Sequence, residues 1–349
     1  MRRVSRIAVA GAATASLALA LSACGGTSTS VGSSESKGDK GLAIAYDVGG
    51  KGDQSFNDAA YAGLEKAKNE FGYKTADMEP TEGETDADKA QRLASLAKQG
   101  YNPVIGVGYA YATAVKEAAA KYPDTTFGIV DDSTIEADNV ADLVFSEEEA
   151  SYLAGVAAAK STKSEVIGFV GGVDIPLIHK FEAGFKQGVE DTNPKVKVLS
   201  QYLTQTAEEG GFSSPDKGRT AAEGQIEKKA DVVYQAAGLS GQGVIEAAAA
   251  NKVWAIGVDS DQYAQEALSK YKKYILTSAT KDVAKAVYNL AKSVEDGKPE
   301  TGIVRGDLKS GEVGLADSNP EFKGDTELQE AIETAKEKII SGEIKVKTS

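Results

Sequence analysis

Residues 43–63, AIAYDVGGKGDQSFNDAAYAG, decide how this chain is read. A short apolar run at 42–46 has the length and composition of a buried strand. A glycine-loosened loop follows at 47–55, then a helical stretch from about 57 to 70 in which Ala60, Leu64, Ala67 and Phe71 recur on one face. Gly72 stands where a left-handed cap would end that helix. Strand, loop and helix in this order are the unit of a parallel α/β protein, and the chain repeats it.

The repeats run outward from there. Strands are expected at 74–78, 104–107, 127–130 and 143–145, with helices at 87–99 and 111–121. A long helix at 147–159 opens with three glutamates, suited to a helix N-terminus. The pattern then starts over. Strands are expected at 166–170, 196–202, 232–235, 254–258 and 275–280, with helices at 178–190, 215–228 and 244–251 and after each of the last two strands. Gly171 and Gly172 read as a loosened loop like the first. Residues 303–308 and 313–316 read as a hairpin, and 327–340 as a terminal helix. Two successive α/β halves predict two lobes facing each other over a cleft, the first at 41–145 plus about 278–298, the second at 146–277 plus about 299–349.

The first 40 residues read differently. Arg2, Arg3 and Arg6 precede an apolar run at 7–21 that stops at Leu21-Ser22-Ala23-Cys24, the pattern of a lipoprotein signal peptide over residues 1–23. Cys24, the single cysteine of the chain, would be acylated and become the new N-terminus. Residues 24–40 then form a flexible glycine and serine tether, so the expected location is the extracytoplasmic face of a cell membrane, held by lipid alone. No disulfide can form, and the body must stand on its core.

The net charge of -13 argues against nucleic acid and against adhesion to anionic lipid. The glycine loops match neither the dinucleotide fingerprint nor the phosphate loop, and His179 is the only histidine, which leaves no histidine cluster for zinc. No cofactor and no metal are expected.

In parallel sheets, ligands lie beyond the carboxyl ends of the strands. The polar and aromatic residues there are Asp47, Ser55, Phe56, Asn57, Tyr109, Asp131, Asp132, residues 174–181, Phe212, residues 238–243, residues 259–261, and Thr280, Lys281 and Asp282. Carboxylates for paired hydroxyls, amides for a polar edge and phenyl faces for stacking suit a sugar bearing a flat ring.

Six ordered blocks then carry a specific likeness: residues 45–65, GIVDD at 128–132, FSEEEASYLAGVAAA at 145–159, 167–189, AAGLSGQGV at 236–244 and WAIGVDSDQ at 254–262. Together they resemble the basic membrane protein family of ABC-transporter substrate-binding lipoproteins. The resemblance implies a two-lobed type I periplasmic-binding-protein fold and a monomeric purine nucleoside receptor that serves an ABC permease and its ATPase and is not an enzyme. It further implies that Phe56 and Phe212 sandwich the base and that Asn57 and Asp131 bind its polar edge. Asp259, Lys281 and the Gly238 backbone would hold the ribose hydroxyls, with Asp47 shaping the first loop or touching the ligand. The chain departs from the family pattern in its first loop, where only Asp53 remains of the acidic pair before Ser55-Phe56-Asn57, and after Phe212, where serines follow. A pentose or other small signalling molecule, and an extracellular nucleoside-processing enzyme, remain as alternative readings.

Overall fold

The computed structural model describes residues 41–81 and 83–349. The expected signal peptide, lipidated Cys24 and tether lie outside the described residues. In chain order the first half runs β1 (Gly41–Ala45), α1 (Phe56–Phe71), β2 (Lys74–Met78), α2 (Asp86–Lys98), β3 (Val104–Gly106), α3 (Ala112–Lys121), β4 (Phe127–Val130) and β5 (Val140–Phe145). The second half runs α4 (Glu147–Ser161), β6 (Val166–Val173), α5 (Pro176–Thr192), β7 (Lys197–Thr204), α6 (Pro215–Glu227), β8 (Val232–Ala236), α7 (Ser240–Asn251), β9 (Trp254–Asp259) and β10 (Ile275–Lys281). The remainder is α8 (Val283–Glu295), β11 (Gly302–Gly306), β12 (Val313–Leu315), α9 (Pro320–Gly324) and α10 (Thr326–Ile340).

Two six-stranded sheets result, ordered β11-β5-β4-β3-β1-β2 and β12-β10-β9-β8-β6-β7. Every residue of β1 is buried, because α1 and α8 cover one face of its sheet and α2 and α3 the other. In the second sheet α4 and α5 cover one face, α6 and α7 the other. The edge strand β2 carries Lys74 and Asp77 and is mostly solvated, which discourages pairing with another chain. The α4 and α5 backbones meet through glycines: a Cβ on Gly184 would lie 2.1 Å from the Glu148 carbonyl, and one on Gly188 2.1 Å from that of Tyr152. Among the described residues no helix is long and apolar enough to cross a membrane.

Four expectations from the sequence are corrected. The hairpin at 303–308 and 313–316 does not form: β11 pairs parallel with β5 in the first sheet, and β12 pairs antiparallel with β10 in the second. Residues 299–349 are therefore shared between the sheets, and β10, part of which had been assigned to the first lobe, lies wholly in the second sheet. Only 3-10 turns, and no α-helix, follow β9. Gly171 and Gly172 lie inside β6, not in a loop. The chain thus crosses between the sheets three times, after β5, after β10 and between β11 and β12. The loop after β1 meets the carboxyl end of β9, where Ser55 Oγ donates to Asp259 Oδ2 at 2.6 Å.

Candidate functional site

The loop after β1 is built by its own carboxylates. Asp53, almost fully buried, accepts from the amides of Ser55 (2.9 Å), Asn57 (2.9 Å) and Asp58 (3.2 Å) and from Asn57 Nδ2 (3.0 Å), which starts α1 and fixes the Asn57 side chain. Asn57 Oδ1 in turn accepts from the Asp47 amide at 3.0 Å, leaving one Nδ2 hydrogen uncommitted. Asp47 folds over Gly108, whose φ of +101° and lack of a side chain are both required, since a Cβ there would lie 2.1 Å from Asp47 Oδ2.

All eight residues expected to face a ligand, Asp47, Phe56, Asn57, Asp131, Phe212, Gly238, Asp259 and Lys281, line one cavity. Its walls are completed by Asp53, Tyr109, Leu177, Ile178 and Phe181 among others. Phe56 opens α1 in the first lobe, while Phe212 comes from the loop between β7 and α6 in the second. Phe212 is seated on Gly172 of β6, where a Cβ would lie 2.5 Å from its ring. The glycine in that strand thus makes room for a phenyl ring.

Lys281, at the end of β10, is the electrostatic centre. Its Nζ lies 2.5 Å from Asp131 Oδ2, 3.8 Å from Asp259 Oδ1 and 3.8 Å from Glu147 Oε1, and 4.7 Å from the centroid of Phe56. Burial works against the lysine charge, but Asp131, Asp259 and Glu147 together hold it above the ordinary lysine range. Asp259 Oδ2 also accepts from Ser55 Oγ at 2.6 Å, and burial raises its carboxyl despite that bond and the lysine. Burial pushes Asp47 from 3.8 up to about 7, against the Val48 amide and Lys89, and pushes Asp53 to about 6 against its amide bonds. The Tyr109 hydroxyl is raised to about 12 by burial and by Asp47.

One polar atom on the wall is left over: Asp131 Oδ1 is buried with no hydrogen-bond partner. A buried carboxylate oxygen in that state favours a ligand that donates to it. Carboxylate acceptors, an ammonium donor and phenyl faces can bind a flat polar molecule. Among the described residues no group of three or more histidine, cysteine or acidic side chains is placed to hold a metal ion.

Two contributors were missed from sequence. Phe181 was named only within residues 174–181, and Glu147 was read only as one of three acids suited to a helix N-terminus. Glu147 is instead buried, 3.3 Å from Lys180 and 3.8 Å from Lys281, with burial raising its carboxyl to about 7 against both lysines. No local pattern distinguishes it from Glu148 and Glu149. His179 lies outside the cavity lining, paired with Asp174 at 2.6 Å.

Comparison with known proteins places this architecture. Residues 41–349 match the family model Bmp, described as ABC transporter substrate-binding protein PnrA-like. The chain is 36% identical to the "ABC transporter nucleoside-binding protein BmpA" of Lactococcus lactis, over 97% of this chain and 98% of that one. It is 37% identical to an uncharacterized lipoprotein of Pyrococcus horikoshii, over 79% of this chain and 68% of that one. Among solved structures, an ABC transporter solute-binding protein from Aeropyrum pernix superposes with a TM-score of 0.76 at 30% identity, covering 88% of this chain and 93% of that one. The fold is that of the two-lobed periplasmic binding proteins.

Proposed function

Because this chain belongs to the Bmp family of PnrA-like ABC transporter substrate-binding proteins, we propose that its cleft binds a purine nucleoside and delivers it to a membrane permease and its ATPase. The observation that carries the reading is the distribution of groups around one cavity. Each lobe supplies a phenyl ring, Phe56 or Phe212, and a carboxylate, Asp131 or Asp259, and one buried lysine joins the two carboxylates. Stacking on a base is indifferent to its substituents, so the polar wall must orient it. Asp131 Oδ1 is free to accept an N–H from the base edge, and the uncommitted Asn57 hydrogen can donate to it. Asp259, Lys281 and the Gly238 backbone then meet the ribose hydroxyls. The name of the Lactococcus lactis relative points the same way.

The same reading places the mature protein, as a monomer, on the extracytoplasmic face of the membrane, anchored through a lipid on Cys24. Cys24→Ser should release it from the membrane fraction.

Calorimetry with guanosine, inosine and adenosine against ribose and the free bases tests the ligand. Intact nucleosides should bind at least tenfold more tightly than either part. Equal binding of ribose would favour a sugar receptor, and release of free base during incubation would favour an enzyme; either would overturn the proposal.

A further inference from the structure

The loop at 52–55 has an uneven hydrogen-bond inventory. Three of its four amides donate inside the first lobe: Gly52 to Asp58 Oδ1 at 2.7 Å, Gln54 to Asp58 Oδ2 at 3.0 Å, and Ser55 to Asp53 Oδ1 at 2.9 Å. Three of its carbonyls accept from the second lobe, two of them beside a first-lobe donor: Gly52 also accepts from Gln54 Nε2 at 3.2 Å and Ser55 from the Ala59 amide at 3.1 Å. Gln242 Nε2 donates to Gly52 at 3.2 Å, Gln262 Nε2 to Gln54 at 3.1 Å, and Ser260 Oγ to Ser55 at 2.8 Å. Positive φ at Gly52 and Gln54, +100° and +57°, shapes the turn that presents these oxygens. Every one of the three bonds spans the cleft, and none of the three donors lines the ligand cavity.

Gln262 is aimed in advance. It is fully buried, its Oε1 accepts from Gln235 Nε2 at 2.9 Å and from the Val258 amide at 3.2 Å, and its own amide donates to Ser278 Oγ at 3.1 Å. With the rest of the side chain fixed, its Nε2 meets the Gln54 carbonyl without a search through rotamers. A Cβ on Gly257 would lie 2.4 Å from its Oε1, so the neighbouring strand leaves space for it.

We propose that Gln242, Ser260 and Gln262 form a ligand-independent latch that sets the open-to-closed equilibrium of the cleft and the residence time of whatever it holds. The latch reads backbone carbonyls only, so it is indifferent to the ligand's chemistry. In the open state water would satisfy the same carbonyls, which keeps the net worth of each bond small and the latch reversible. Its part in delivery rests on the receptor reading above; its part in closure does not.

The test is a distance measurement between spin labels on the two lobes of the full body, without ligand, for the native protein and for Gln242→Ala with Ser260→Ala. Both sites are at the half-buried rim, so the variant keeps the buried Gln235–Gln262 network. A single net hydrogen bond is worth a factor of about 2 to 12, so the double variant should shift the population roughly tenfold or more toward open. Stopped-flow release of guanosine should accelerate by a similar factor, with the preference among purines unchanged. An unchanged distance distribution overturns the latch, whether or not guanosine binds. Failure of guanosine to bind the native protein, with the distances still shifting, overturns the nucleoside reading and leaves the latch standing.

Discussion

Asp131 directly follows and Asp259 ends the fourth strand, in chain order, of its sheet, both in the same left-handed backbone conformation, with φ of +67° and +62°. Both turn a carboxylate to Lys281 Nζ, at 2.5 and 3.8 Å. The two sheets have the same strand order, so the pair occupies equivalent positions of a repeated topology brought face to face. Left-handed backbone at a residue other than glycine costs about 1 kcal/mol or more, and it is retained where the position serves a site.

Asp131→Asn keeps the shape of the side chain and removes the charge nearest Lys281. Nucleoside affinity in calorimetry should fall by roughly 30-fold or more, about 2 kcal/mol, because a buried ammonium loses its closest partner. Unchanged affinity would remove Asp131 from the site.

Phe56→Ala and Phe212→Ala should each weaken guanosine, inosine and adenosine together, by about 1–3 kcal/mol. A loss confined to one base would mean that the ring reads a substituent and does not stack. Phe56→Ala also removes a ring whose centroid lies 4.7 Å from Lys281, so the larger effect is expected there.

Gly172→Ala places a methyl group against the Phe212 ring, since the added Cβ would lie 2.5 Å from it. The ring must move out of the cavity wall, and affinity should drop at least tenfold while circular dichroism stays native. Gly108→Ala meets both a positive φ and the Asp47 carboxylate, so it should also lower the melting temperature. Full affinity in Gly172→Ala would mean that Phe212 is placed by something else.

Stability of the unliganded protein should fall as pH rises from about 5 to 8. Asp47 and Glu147 ionise near 7 in the folded chain, against ordinary values of 3.8 and 4.5, and Asp53 near 6. Over that window the folded state holds more protons than the unfolded one, so each step up in pH favours unfolding. The raised lysine acts in the same sense, but only above its own ordinary value, and leaves this window alone. Scanning calorimetry should show a melting temperature several degrees lower at pH 8 than at pH 5.5, with a shallower slope in Asp47→Asn. A flat or rising profile would contradict the burial of these carboxyls.

The alternation of apolar strands and alanine-rich helices was legible because each element's period is local. So were the cavity-lining residues near strand ends, since parallel sheets put those ends on one side: Asp47 comes two positions after β1, Asp131 directly follows β4 and Asp259 ends β9. Glu147 was not legible, because its burial comes from Lys281 and Lys180, more than 130 and 30 positions away.

Sequence alone, then, determined the α/β repeat, the loop at 47–57 and the strand-end residues, all matters of spacing within one unit. Only the tertiary structure decided which sheet each late strand joins. β11 and β12 are seven positions apart yet enter different sheets, and neither is distinguishable by composition. It also decided that Lys281 gathers carboxylates from both lobes and that three second-lobe donors close on the loop at 52–55. The physical reason is that hydrophobic periodicity states which face of an element is buried, whereas pairing edges and buried charges take their partners from segments distant in the chain.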